Sequence, residues 1–405
     1  MGGITPELAG LVRDVAGPGL AATLAARLGP EFAAPAATSA NTPAAHGRSA
    51  SRAAGRVFTG LIIDPGDRPP ALSPEEAARR ADLTDDELRS LLDLDDPHVD
   101  ARLFANPRLD DAERRRMLSG ARRDGRSGRV GAPLLDLLWS TGLHRFTARL
   151  PLAIASGDPD VATAVVSRVA LHTEAGRLRV ITGVCRRYGA AEARRVLRAA
   201  SFPAATADVI AKALGAPDGP AELRERLAAE EDPEHVYGSL RALTEDHDAH
   251  VRQLVTEGTV LPWAALLRGH AADPLGHALH VALARQPDCP TRLLLDLLAA
   301  GLPDARESAW LDAALAAGRL TPHDLLTHAR PAAGSLALLL ADTHHERRSR
   351  WPTPAPPPDV RGLFHARLGT DTDAWAVAVR LLPEFHGSIT ELLTTATAAT
   401  HEKTA

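Results

Sequence analysis

Aspartate followed by proline recurs at Asp96-Pro97, Asp158-Pro159, Asp232-Pro233 and Asp273-Pro274. Proline has no N–H to give and a φ already near the helical value, so it belongs at the first position of a helix. Aspartate before it accepts from the unpaired N–H groups of the first turn, and its charge suits the positive end of the helix dipole. Each pair therefore predicts a helix start, followed by a short helical pattern. The punctuation has other forms. Ser73, Pro74 and Glu76 spell a capping box, Thr84 with Glu87 and Asp110 with Glu113 repeat the device, and Thr321-Pro322 resembles Thr5-Pro6. A chain restarted this often folds as many short helices that must stack on one another.

Composition points the same way. The apolar 45% is mostly Ala, Leu and Val, and only 3% of the chain is aromatic. Strong helix formers dominate over strand formers, so the chain is expected to be nearly all α. Its 405 residues allow two or three domains or one long array. Residues 1–29 read as a short helical segment. Residues 30–55, rich in Ala, Pro, Ser and Thr, read as a flexible linker. A helical array is expected over 56–349, with 56–71 as a stretch of extended character. A Pro-rich connector covers 350–360, and helices with a tail cover 361–405.

Set in register, "DDPHVDARLFANPRLDDAERRRML" (95–118) and "HALHVALARQPDCPTRLLLDLL" (277–298) share a frame. An apolar helix ends in a polar residue plus proline (Asn106-Pro107, Gln286-Pro287). A second helix then finishes on an apolar pair, Met117-Leu118 or Leu297-Leu298. The first helix buries Val99 and Leu103, the second a pair such as Leu293 and Leu297, and neither can hide its stripe alone. Segments 372–393, 248–267 and, more weakly, 158–181 follow the frame, with Leu382-Pro383 and Gly258 at two of the breaks. These copies resemble the leucine-rich repeat variant family and, more loosely, HEAT-like repeats. The resemblance covers about half of the chain in scattered copies. It implies an irregular right-handed α-solenoid of short helix pairs, and it brings no catalytic residues with it. The copies depart from the family in their uneven spacing and in the Pro-rich interruption.

The functional classes narrow accordingly. A net charge of −5 argues against a dedicated nucleic-acid binder. The basic residues are nearly all Arg, with Lys only at 212 and 403, as codon bias in a high-GC bacterial genome would produce. Cys185 and Cys289 are far apart and predict neither disulfide nor zinc site. Charges near the N-terminus and the short run at 335–341 predict no leader and no span, so a cytoplasmic location is expected.

Three constellations remain. The first is the acidic turn of Asp95, Asp96, His98 and Asp100, which could mimic the diphosphate–magnesium motif of all-α terpene synthases but is more economically read as a helix cap with solvated neighbours. The second is the densest basic run, Arg114, Arg115, Arg116, Arg122, Arg123, Arg126 and Arg129. Its "GRSGR" could wrap a phosphate or meet an acidic partner. The third is histidine: His247 with His250 and His277 with His280, each at helical i, i+3 spacing, and Asp342, His344, His345 and Glu346 in "DTHHE". No H-E-x-x-H, Walker A or G-x-S-x-G motif appears, and no cofactor is implied. The expected function is a non-catalytic protein–protein interaction scaffold with another protein as partner. Two rivals come from other classes. One is a nucleic-acid binder resembling HEAT-like DNA glycosylases through an Arg-rich face. The other is a metal-dependent all-α enzyme using Asp95/Asp96 or the His247/His250 group.

Overall fold

The computed structural model describes residues 6–29, 32, 72–142, 147–304, 307–344 and 360–401. The extended stretch expected at 56–71, the linker apart from Phe32, and residues 350–359 of the connector lie outside the described residues. Among the described residues the chain is all helical, and its one β-type contact is an isolated bridge between Ala121 and Ser127. None of the described helices is long and apolar enough to cross a membrane.

The helices are α1 Pro6–Ala16, α2 Pro18–Leu28, α3 Pro74–Ala77, α4 Asp85–Asp93, α5 Pro97–Ala105, α6 Asp111–Leu118, α7 Ala132–Ser140 and α8 Leu150–Ile154. Next come α9 Pro159–Arg168, α10 Glu174–Tyr188, α11 Ala190–Ala199, α12 Ala204–Gly215, α13 Gly219–Glu230, α14 Pro233–Ala242, α15 His247–Thr256 and α16 Trp263–Ala272. The last are α17 His277–Ala284, α18 Thr291–Ala300, α19 Ala309–Ala316, α20 Pro322–His328, α21 Ala332–His344, α22 Val360–Leu368, α23 Thr372–Leu381 and α24 Ile389–His401.

The helix starts follow the chemistry of the caps. One carboxylate oxygen of Asp96 accepts from His98 N (2.7 Å) and Val99 N (3.2 Å). Asp158 does the same for Asp160 and Val161, and Asp232 for Glu234 and His235. Ser73 with Glu76 and Thr84 with Glu87 close full capping boxes, as does Thr321 with Asp324. Two expected caps differ. Asp110 accepts from Glu113 N, but the Glu113 side chain turns away to Arg116 and Arg123, leaving half a box. Asp273 caps nothing. It closes α16, Arg241 holds both its carbonyl and its carboxylate, and the next helix waits until His277, behind Gly276.

The described residues fall into two compact units, one within 53–273 and the other within 1–52 and 274–405. In the first, α5 packs on α7, α7 on α9 and α9 on α11, while α6 packs on α8, α8 on α10 and α10 on α13. From α5 to α11, successive helices thus alternate between two rows. The core between them holds Val99, Leu103, Phe104, Leu118, Leu134, Ile154, Val165 and Ile181. Central α9 buries six apolar residues, Pro159, Val161, Ala162, Ala164, Val165 and Val166, and so has almost no solvent face. The break after α5 is itself buried. The Asn106 amide donates to Ala78 O (2.9 Å) and Arg80 O (2.8 Å) and accepts from Arg108 N (2.9 Å), so no polar atom of the side chain is wasted.

In the second unit α1 packs on α2, α21 and α22, α2 on α23, and α24 on α20, α22 and α23. Trp375 anchors it, fully buried, with Phe364 at 5.6 Å between ring centroids and its indole N–H on Gly369 O at 3.1 Å. Of the helix pair α17 and α18, α18 buries Leu293 and Leu297 as their spacing predicts.

Candidate functional site

The acidic turn and the basic run meet in the 53–273 unit, where Asp95 lies beside Arg116 and Arg122. Asp95 sits at φ 47°, in the left-handed region, and swings the chain from α4 into the Asp96 cap of α5. After α6 the segment Ser119–Gly131 doubles back, with Arg122 N on Arg126 O (2.8 Å) and Gly128 N on Gly120 O (3.0 Å). Gly120 has φ 62°, and a Cβ there would lie 2.4 Å from Gly128 O, so this fold of the loop requires glycine.

The seven arginines have distinct places. Arg114 donates to Phe104 O (3.3 Å) and Asn106 O (2.7 Å) and pairs with Asp111, which closes the C-terminus of α5. Arg116 is held by Glu113 (2.6 Å) and donates to Ala121 O (2.9 Å), with Asp95 at 3.9 Å. Arg122 lies 3.8 Å from Asp95, and Arg123 bridges Asp93 (2.5 Å) and Glu113 (2.9 Å). Arg126 pairs with its loop neighbour Asp124, and its side chain is 84% exposed. Arg129 reaches forward to Asp160 (3.1 Å) on α9 and Glu192 (3.3 Å) on α11, and Arg195 joins both carboxylates. Partial burial works against the ionised Asp160, but its bonds to Arg195 and Arg129 hold its carboxyl below the usual range. Arg115 is exposed. The loop's far end is pinned by Val130 N on the second oxygen of Asp158 (3.1 Å) and by the Tyr188 hydroxyl on Gly128 O (2.9 Å).

Beneath the loop is a cavity of about 70 Å³, lined by Asp95, Asp100, Met117, Arg122, Arg129 and Leu134 among others. Asp100 Oδ1 is buried without a hydrogen-bond partner, and one terminal nitrogen of Arg116 is likewise buried and unpartnered. Burial pushes the Asp100 carboxyl up to about 6; Arg116 opposes the shift, while Asp95, Glu113 and Asp96 add to it.

His247 and His250 lie on α15 and His277 and His280 on α17, in different units. His277 pairs with Glu307 (3.0 Å), and buried His280 holds Leu293 O (2.8 Å). Burial lowers the pKa of His250, opposed by Glu257. Asp246 stands at the cap position of α15, but at φ 53° its side chain makes no cap bond. Among the described residues no three His, Cys, Asp or Glu side chains converge to hold a metal ion. Of "DTHHE", His345 and Glu346 and the side chains of Asp342 and His344 lie outside the described residues.

Glu257 is the residue that sequence reasoning missed. It is 2% exposed, and its carboxylate accepts from His172 N (2.6 Å), Thr173 N (2.9 Å) and Thr173 Oγ1 (2.6 Å). Thr173 in turn caps α10, so a carboxylate at the end of α15 fixes the start of a helix 84 residues earlier. Arg179 donates to Glu257 O and pairs with Glu231 (2.5 Å). A Cβ on Gly176 would come within 2.3 Å of Glu257 Oε2, so glycine makes room for the carboxylate. A cavity of about 230 Å³ opens beside it, lined by Thr147, Leu150, His172, Arg252, Gln253 and Glu257 among others. The available signal was Gly258 at the repeat break; nothing local names the partner. No family model matches the chain, and no curated protein or solved structure is similar to it.

Proposed function

We propose that the chain is a non-catalytic protein–protein interaction scaffold, built as an irregular right-handed α-solenoid of short helix pairs. The alternation of α5, α7, α9 and α11 with α6, α8, α10 and α13 in two rows carries the reading, because stacked helix pairs are the way chains of this kind present extended binding faces. The charges support a protein partner over a nucleic acid. Six of the seven arginines in the basic run have a carboxylate within 4.0 Å. Guanidinium charge so neutralised leaves little to displace counterions from a phosphate backbone. The reading includes no cofactor, and membrane attachment plays no part in it.

Affinity capture of the tagged full-length protein from its own lysate at moderate salt, with and without nuclease, tests this. A defined protein partner that survives nuclease is expected. Recovery dominated by nucleic acid, and lost with nuclease or rising salt, would overturn the proposal.

A further inference from the structure

The clasp formed by Ser119–Gly131 covers groups that fit one protonation state better than the other. Asp100 stands on the first turn of α5, but Asp96 already takes the N–H groups of His98 and Val99, so none of these is left for Asp100. Its Oδ1 is buried and unpartnered, and the nearest guanidinium, Arg116, is committed to Glu113 and Ala121 O with its remaining nitrogen also unpartnered. The charged groups that act on it or share its cavity come from three segments: Asp95 and Asp96 from the turn, Glu113 and Arg116 from α6, Arg122 and Arg129 from the loop. Ionised, Asp100 is a fourth carboxylate in a crowd whose arginines are already paired. Neutral, it removes one charge and gains an O–H donor.

We propose that Asp100 makes the Ser119–Gly131 loop an acid-tightened clasp: protonated, it lets the loop close on α5, and ionised, it loosens the loop. The loosened state lets water or Arg122 reach the carboxylate, with Gly120 and Gly125, at φ 62° and 82°, as the points where the loop turns. The carboxyl's position at about 6 puts the change between mildly acidic and neutral conditions. Arg129 and Val130 join this loop to Asp160 and Asp158 at the head of α9, so the change reaches the contact between successive helix pairs.

Amide hydrogen exchange in the full-length protein tests the clasp, with rates corrected for the intrinsic effect of pH. The amides to follow are that of Arg122, which donates to Arg126 O, that of Gly128, which donates to Gly120 O, and that of Val130, which donates to Asp158 Oδ2. Between pH 5 and pH 7.5 their protection is expected to fall by about tenfold in the wild type and to stay level in Asp100→Asn, which mimics the neutral acid. Asp95→Asn keeps a residue that tolerates left-handed φ but removes a neighbouring charge, and is expected to move the midpoint to lower pH. A level wild-type profile, or a step that persists in Asp100→Asn, would overturn the proposal. Should the variant fold poorly, the wild-type carboxyl resonance of Asp100 decides: titration near 6 supports the clasp, and titration near 4 contradicts it.

Discussion

Asp100 and Glu257 are both carboxylates covered by neighbouring chain in the same unit, and they are served in opposite ways. Glu257 is the more deeply buried, yet three donors meet its two oxygens and a glycine is cleared to admit it. Asp100 is less buried, but one oxygen has no partner and its neighbours include three more carboxylates. The contrast separates burial from cost. A buried charge with its hydrogen bonds complete is a strut, and a partly buried one without them is a reservoir of free energy that a proton can release.

Breaking the strut has the largest expected effect. Glu257→Ala strands the N–H groups of His172 and Thr173, and denaturant unfolding is expected to show a loss of about 3 kcal/mol. Gly176→Ala drives a methyl against Glu257 Oε2 and is expected to cost about 2 kcal/mol by the same measurement. Combined with Glu257→Ala its cost should shrink, because the clash then has no partner.

Two Asp-Pro caps sharpen the point. Asp96 is exposed and serves only α5, whereas Asp158 is fully buried and also receives Val130 N. Alanine at 96 is expected to cost about 1 kcal/mol and alanine at 158 about 2 kcal/mol, read from thermal or denaturant melts. At the small end, Arg126→Ala should shift stability by less than about 0.5 kcal/mol, since its ion pair is open to solvent.

The caps were legible in the sequence because their physics is local: an aspartate meets N–H groups two and three residues on, and proline marks where. The helical stripes were legible for the same reason, and Val99, Leu103, Leu293 and Leu297 are buried as their spacing predicts. Asp273 shows where local logic stops. It has the same dipeptide, but Arg241, 32 residues away, holds it, and Gly276 delays the helix. The basic run and the acidic turn were each visible as clusters, but their mutual pairing depends on how the loop returns past Gly120. Glu257 was marked only by Gly258 beside it, and nothing local named its partners, because the N–H groups it serves lie 84 and 85 residues back.

The contrast between the two carboxylates is tested most directly by the stability of wild type and Asp100→Asn measured from pH 4 to pH 8. The Asp100 carboxyl is raised in the folded chain from an ordinary value of 3.8 to about 6. The folded state therefore binds this proton more tightly, and stability from this group is full below about 4 and is lost as pH rises through about 6. Asparagine escapes that loss. The variant is expected to match the wild type at pH 4 and to exceed it by about 1–2 kcal/mol at pH 7.5, after allowance for partial solvent screening. A variant less stable than the wild type at pH 7.5, or a difference that does not change with pH, would contradict the account.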